Sequence, residues 1–340
     1  MSVRSKIVGE EPSGPITIYD VARVAEVSPS TVSRVINRFA AIAPDTRARV
    51  EETIAKLHFV PNATARNLIM KRTETVAVVF PDMGGMYYSS VLRGVDSVIA
   101  EHNYHLLVYT TKWIASQDRA RLPLNRRNSD GLIIAANAVD AALLEHIQDQ
   151  HVPTVVLNHN GVGLRVPSVT VDNRHGAQLA VEHLVSRGRR CIAFIGGPEG
   201  NVDGDERIEG YHAGLAAAGI VSNPALLFVA NYEMDGGERA IAAWEAAGVS
   251  YDAIFAANDE MAIGAIEALG ALGRRVPQDV AVVGFDDIGM ASHLRPALTT
   301  VSYAIDDLGR QAARLLFRQF AGEPAEHTVI PVSLVVRASS

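Results

Sequence analysis

The sequence predicts a small all-α head followed by a larger α/β body of two similar lobes. Three observations carry this. Residues 17–37, TIYDVARVAEVSPSTVSRVIN, read as two short helices joined by a tight turn. From Thr75 onward, apolar runs alternate with amphipathic stretches, the pattern of a parallel sheet covered by helices. A second set of such runs then begins at Cys191. At 340 residues, 48% of them hydrophobic, the chain is long enough for two or three compact units.

Residues 1–15, with Gly9, Pro12, Gly14 and Pro15, read as a flexible tail. The head, residues 16–61, opens with a helix capped by the Thr17 hydroxyl, with Asp20 reaching back to the cap amide. Val21 and Val24 are expected on one face, and Ala25, Glu26 and Val27 form the turn. Ser28 supplies a second N-cap, and Pro29 follows where its missing N–H costs nothing. Val32, Val35 and Ile36 fall at helical spacing and are expected to pack on Val21, Val24 and Val27. Pro29, Ser30, Ser33 and Arg34 then face solvent or a major groove. In helix-turn-helix proteins the start of the second helix meets base edges, and an arginine can pair with guanine O6 and N7. A third helix over 44–59, with Val50, Ile54 and Leu57 inward, closes the core. Taken alone, this pattern also fits a helical hairpin that touches no nucleic acid.

Charge is divided unevenly. The formal net charge is −7, yet residues 1–72 hold 11 Lys and Arg against 7 Asp and Glu, a balance of +4 that leaves −11 for the remainder. Positive charge thus gathers where phosphates would lie, at Arg23, Arg34, Arg38, Arg47, Arg49, Arg66, Lys71 and Arg72, and such binding weakens steeply with salt. Residues 62–70 begin with a good N-cap, Asn62, but nine residues are too few for a helix to persist alone in water.

In the body, TVAVVF, HLLVYT, GLIIAA, TVVLN and VTVD form a first set of strands, and CIAFIG, LLFVA, AIFAAND and VAVVGFDD a second. Helices are expected over 89–101, 176–187, 207–218, 236–247 and 260–272. In such sheets ligands gather at strand C-termini. Asn158, Asn258 with Asp259, and Asp286 with Asp287 end strands there, and Asp82 precedes Tyr87 and Tyr88. Carboxylates that accept from vicinal hydroxyls, an arginine fork and aromatic faces together describe a sugar site. Asp287 is expected to be a helix cap.

Over nearly its whole length the chain resembles the lactose-repressor/galactose-repressor (LacI/GalR) family of bacterial transcription regulators. The resemblance rests on YDVA at 19–22, VSPSTVSRVIN at 27–37, FVPNATARNL at 59–68, GLII at 131–134, RIEGY at 207–211, ANDEMAIGA at 257–265 and VPQDVAVVGFDD at 276–287. It implies a helix-turn-helix head, a hinge helix over 62–73 that orders when two copies meet on DNA, and a two-lobed periplasmic-binding-protein-like (type I) effector domain over 74–340. The first lobe is then about 74–171 and 305–331, the second about 172–304 and 332–340. Carried over residue by residue, the family's DNA contacts fall on Thr17, Tyr19, Ser28, Pro29, Ser30, Thr31, Ser33, Arg34 and Asn37 in the head. In the hinge they fall on Asn62, Ala65, Arg66 and Leu68, the last as an apolar wedge in the minor groove. The effector positions become Tyr87, Tyr88, Asn158, Asn201, Asp203, Arg207, Tyr232, Asn258 and Asp286. The expected partners are double-stranded operator DNA, a small-molecule effector, most simply a sugar with a purine or other metabolite as the alternative, and a second copy of the chain. Helices over 89–101 and 261–272 are the expected dimer surfaces. No leucine-heptad tail follows VSLVV.

Enzyme readings fare poorly. FIGGPEG lacks the spacing of a dinucleotide turn, and no phosphate-loop motif occurs. His102 and His105 have no further cluster to complete a metal site, and no cofactor is expected. The single cysteine, Cys191, opens an apolar strand and reads as a buried thiol. No apolar run is long enough to span a membrane and no secretory signal is evident, so a cytoplasmic location is expected, on the nucleoid when bound to DNA. A sugar-binding transport protein would explain residues 75–340, but not the head.

Overall fold

The computed structural model describes residues 16–37, 39, 41–60, 72–112, 122–163, 165–324 and 326–340. The chain forms two units, residues 1–73 and 74–340. In the first, α1 (Ile18–Val24), α2 (Pro29–Ile36) and α3 (Pro44–Lys56) enclose a core of Val21, Ala22, Ala25, Val32, Val35, Val50 and Phe59. Asp20 reaches back as expected, but its carboxylate accepts both the Thr17 N–H at 3.0 Å and the Thr17 hydroxyl at 2.7 Å. These bonds, with Arg23, hold the Asp20 carboxyl down at about 2. Ser28 accepts from the Thr31 amide at 3.1 Å and caps α2, with Pro29 in its first turn.

Two expectations for the head fail. Val24 is 45% exposed, and Ala25 takes its place in the core. At about 100° per residue, Val21, Ala22 and Ala25 cluster on one side of α1 and Val24 falls well outside that arc. The third helix stops at Lys56 instead of reaching Phe59. His58 adopts a left-handed φ of 50°, and the amides of His58 and Phe59 return to the carbonyls of Ala55 and Ile54. This is a Schellman closure, and it turns the Phe59 ring back into the core.

The second unit holds two six-stranded sheets. The first contains β1 (Thr75–Phe80), β2 (His105–Thr110), β3 (Gly131–Ala135), β4 (Thr154–Leu157), β5 (Ser168–Val171) and β11 (Thr328–Ile330), in the order β11-β5-β4-β3-β1-β2 and parallel throughout. The second contains β6 (Ile192–Gly196), β7 (Leu227–Val229), β8 (Ala253–Ala256), β9 (Ala281–Asp286), β10 (Thr299–Ser302) and β12 (Ser333–Val335), in the order β12-β10-β9-β8-β6-β7, with only β12 antiparallel. Central strands such as β3, β6 and β9 are buried along their whole length, which is why β3 and β6 read as unbroken apolar runs and β9 as one broken only by Asp286 at its end.

Helices α4 (Met86–Glu101), α5 (Ala141–Asp149), α6 (Asn173–Ser186), α7 (Val202–Ala217), α8 (Met234–Ala246), α9 (Asp259–Ala271) and α10 (Ile305–Phe320) flank the sheets. The pairs α4 with α10, α6 with α7, and α8 with α9 lie against one another. The approach of α4 to α10 requires glycine twice. A Cβ at Gly94 would collide with the Asp306 carbonyl, and one at Gly309 with the Val91 carbonyl. The chain leaves the first sheet after Val171 and leaves the second after Ser302. Helix α10 then packs on β3, β4 and β5, and after β11 the chain returns to the second sheet as β12. Each lobe is thereby tied to the other by three passages of backbone.

Cys191 is half-buried rather than buried. It sits one residue before β6, with its thiol donating to the Ser250 carbonyl at 2.9 Å. His102 is occupied by packing, stacked on Phe317 at 3.7 Å with Nδ1 against the Val98 carbonyl at 2.9 Å. Among the described residues no helix is long and apolar enough to cross a membrane.

Candidate functional site

Because parallel strands end on the same side of their sheet, the loops after β1, β4, β6, β8 and β9 present their residues together. Tyr87 and Tyr88 lie in the first turn of α4, and Asn158 directly follows β4. Asn201 caps α7, whose opening turns carry Asp203, Glu206 and Arg207. Tyr232 follows β7, Asn258 caps α9, and Asp286 ends β9.

Most of these residues meet. Asn158 Nδ2 donates to the Tyr87 hydroxyl at 2.9 Å and, across the two lobes, to Asp203 Oδ2 at 2.6 Å. Asn173 Nδ2 donates to Asp203 Oδ1 at 2.8 Å, and Arg207 Nε donates to Asn173 Oδ1 at 2.9 Å. The guanidinium then reaches Asp286 at 3.4 Å and the Ala257 carbonyl, and lies 3.8 Å over the Phe285 ring. Asp286 also accepts from the Tyr303 hydroxyl at 3.0 Å. One unbroken polar chain thus runs from α4 of the first lobe to β9 of the second.

Arg207 and Asp286 are 4% and 5% exposed. Burial works against the Arg207 charge, but Asp286 and Asp203 beside it overcompensate, so its pKa lies above the ordinary value. Burial pushes the Asp286 carboxyl up to about 6, although Arg207 and the Tyr303 hydroxyl pull it down. Burial likewise raises Tyr87, Tyr88, Tyr232 and Tyr303, which stay neutral phenols.

The remaining expected residues stand around this chain. Tyr88 packs edge-on to Tyr87 with ring centroids 5.1 Å apart and exchanges hydrogen bonds with Asn137. Tyr232 donates to Asn201 Oδ1 at 3.1 Å, and Asn201 also caps the Gly204 amide. Asn258 is occupied by backbone groups of other residues, with Oδ1 accepting from the Met261 amide and Nδ2 donating to the Tyr232 carbonyl at 2.9 Å. Its role in the structure is to hold Tyr232. Asp287 is not a helix cap. It pairs with Arg337 at 2.7 Å and accepts from the Ser302 hydroxyl. Asn158, Tyr232, Asp286 and Asp287 all have left-handed φ values, 58°, 65°, 106° and 55°. Such strain persists only where surrounding contacts over-determine it, as these bonds do.

Three further bridges cross the cleft outside this chain. Asn160 Nδ2 donates to Glu206 at 3.4 Å, the Met86 amide donates to Glu260 at 3.1 Å, and Lys112 pairs with both Glu233 at 2.8 Å and Asp82 at 3.2 Å. Sequence reasoning missed Asn173, Tyr303, Phe285, Glu206, Glu260 and Lys112. Asp172 caps α6 by accepting from the His175 amide, and the polar residue that follows it was the one available signal, for Asn173.

On the head, Tyr19 is 71% exposed and Thr17, Ser28, Ser30 and Arg34 are exposed, while Pro29, Thr31, Ser33 and Asn37 are half-buried. Arg34 is therefore presented outward from α2. Of the basic residues, Arg23 is taken up by Asp20 at 2.9 Å and Arg47 by the Phe39 carbonyl at 2.6 Å. Arg38, Asn62, Ala65, Arg66, Leu68 and Lys71 lie outside the described residues.

A helix-turn-helix head on a two-sheet body with a polar cleft defines a DNA-binding transcription regulator with a periplasmic-binding-protein-like domain. Residues 17–62 match the bacterial regulatory proteins of the lacI family, and residues 181–340 match the periplasmic binding protein-like domain. The chain is 35% identical to the HTH-type transcriptional regulator CelR of Thermobifida fusca, over 95% of this chain and 98% of that protein. It therefore belongs to the LacI family, whose members here are DNA-binding regulators and not enzymes. Among solved structures it is similar to a CelR–cellobiose complex, with a TM-score of 0.73 at 33% identity over 96% of this chain and 100% of that one. It is also similar to the lac repressor dimer bound to operator and the anti-inducer ONPF, with a TM-score of 0.85 at 28% identity over 96% and 99%.

Proposed function

We propose that this regulator is a cytoplasmic repressor that binds a palindromic operator as a dimer and that its operator affinity is set by a sugar bound between the lobes. The observation that carries the sugar reading is the cross-lobe chain from Tyr87 through Asn158, Asp203, Asn173 and Arg207 to Asp286. It offers carboxylate acceptors, amide donors and phenol rings within one buried strip, the functional groups that bind vicinal hydroxyls and cover C–H faces. The cellobiose of one solved relative supports it.

Two heads on one palindrome gain what a single head reading a few base pairs lacks. Effector binding changes the angle between the lobes and with it the spacing of the hinge segments. Operator affinity then changes by a coupling free energy of about 1–3 kcal/mol. Induction is the favoured sign.

The test is thermal-shift screening of the full chain against mono- and disaccharides, sugar phosphates and purines, followed by operator titration with each ligand that binds. Arg207→Ala and Asp286→Ala should abolish both ligand binding and the ligand's effect on operator affinity. If both effects survive in these variants, the cleft is not the effector site. Arg34→Ala should relax base preference at one operator position, and Leu68→Ala should weaken specific binding far more than non-specific binding.

A further inference from the structure

Granting the sugar reading just proposed, we infer that the cleft accepts uncharged sugars and excludes their phosphorylated counterparts. An arginine in a binding site ordinarily invites an anion. Here all three guanidinium nitrogens are engaged, Nε by Asn173, one terminal nitrogen by the Ala257 carbonyl and the other by Asp286 at 3.4 Å. Its face lies against Phe285. The countercharge is thus already supplied by the protein, and an incoming phosphate would have to displace Asp286 to reach it.

Asp203 lies near Arg207 but, among the described residues, makes no direct ion pair with it or with any other cation. It is buried, and its two oxygens accept from the amides of Asn158 at 2.6 Å and Asn173 at 2.8 Å, donors that carry no charge. The buried strip therefore carries one more carboxylate than it has cations among the described residues. Lys112, a cation at the rim, is shared between Asp82 and Glu233. Glu206 and Glu260 add further acid where they bridge the lobes. For a neutral polyol the same arrangement is favourable, because a fixed carboxylate accepts hydroxyl protons without needing to be neutralised. A ligand charge about 6 Å from Asp203, at an effective dielectric constant of about 20, loses roughly 100-fold in affinity per unit charge.

The experiment is isothermal titration calorimetry of the full chain with matched pairs: glucose and glucose 6-phosphate, galactose and galactose 6-phosphate, cellobiose and its 6′-phosphate. At least one neutral member should bind, with its phosphorylated partner weaker by about 100-fold or more. A phosphorylated sugar that binds as tightly as its neutral partner, or more tightly, overturns the inference while leaving the sugar reading intact. Binding by neither member of any pair overturns the sugar reading and the inference with it. Asp203→Asn, nearly isosteric, should narrow the gap within a pair about tenfold or more, by removing the surplus charge. An unchanged gap in that variant would show that Asp203 is not what excludes the anion.

Discussion

Asp286→Asn should make this protein more stable at neutral pH while weakening its grip on the effector. The Asp286 carboxyl is 5% exposed, and burial moves its pKa from 3.8 to about 6. The pull of Arg207 and the Tyr303 hydrogen bond is already inside that balance, and burial outweighs it. Between about pH 4 and 6 the native protein therefore binds this proton more tightly than the unfolded chain does, and stability falls as pH rises through that window. Below it both states are protonated and ionisation exacts no cost. Above it the full cost is present, about two pH units, or on the order of 3 kcal/mol. Asparagine keeps the shape and the acceptor for Tyr303 but does not titrate. In urea unfolding the variant should match the parent near pH 4 and exceed it near pH 7.5 by that order, an upward shift of several degrees in Tm. Effector affinity should fall at least about tenfold, as expected when a charged hydrogen-bond acceptor is lost. If the variant is less stable than the parent at pH 7.5, attraction to Arg207 exceeds the burial penalty and the reasoning is wrong.

Other perturbations test the scaffold. Gly94→Val, which forces a side chain against the Asp306 carbonyl, should destabilise the body by about 2–4 kcal/mol in thermal unfolding, and a loss below 1 kcal/mol would mean α4 and α10 can separate cheaply. Glu260→Ala removes the acceptor for the Met86 amide and should enlarge the ligand-free protein in small-angle scattering, whereas Glu260→Gln should not; equal profiles for all three would show that this bond does not hold the lobes. Ser28→Ala should cost the head about 1 kcal/mol, read from urea unfolding of the full chain by hydrogen exchange at α2. Burial, and secondarily Asp252, raises the Cys191 thiol, so it should react with a disulfide reagent at pH 7.5 more slowly than a free cysteine does; a rate equal to or above that reference would count against its bond to Ser250.

The strands were legible because burial on both faces leaves apolar runs such as VAVVF in β1, GLIIA in β3, IAFIG in β6 and AVVGF in β9. Helix starts were legible in the head, at Pro29 and Pro44, but less so in the body. α6 begins at Asn173 where periodicity pointed to Gly176, and α7 at Val202 where it pointed to Arg207. In both, the opening turn buries polar side chains, Asn173 on one and Asp203 on the other, which interrupts the apolar stripe on which periodicity depends. The departure from pattern was itself the mark of the site. Strand-end residues such as Asn158 and Asp286 could be found from sequence, because position after an apolar run is visible there. Tyr303 and Phe285 could not. Phe285 reads as one more core residue of VAVVGFDD, and Tyr303 reaches Asp286 only because β10 pairs beside β9, a registry that no local motif encodes.

The cross-lobe bonds limit how a ligand could act on the DNA-binding end. Asn158 has one amide nitrogen, and it is shared between the Tyr87 hydroxyl of its own lobe and Asp203 of the other. A ligand hydroxyl donated to Asp203 competes with that amide for the carboxylate, so binding and lobe contact are linked through a single acceptor. If the ligand replaces the amide and bridges to Tyr87, the lobes stay joined at a larger separation. If it accepts from Asn158 while donating to Asp203, they stay joined with a hydroxyl between them. In both cases the Asn160–Glu206 and Met86–Glu260 bonds must lengthen or re-form, because they are direct contacts with no room for an inserted atom at 3.4 Å and 3.1 Å. Each such bond is worth about 0.5–1.5 kcal/mol, and more where the acceptor is charged. Two of them therefore suffice for the roughly 1–3 kcal/mol of coupling by which an effector alters operator affinity. The sign then depends on whether the liganded separation is the one that brings the two hinges together, and the paired variants Asn160→Ala and Glu260→Ala decide it. If these bonds stabilise the operator-bound arrangement, the double variant should mimic the effector in its absence and lower operator affinity; if they oppose it, affinity should rise.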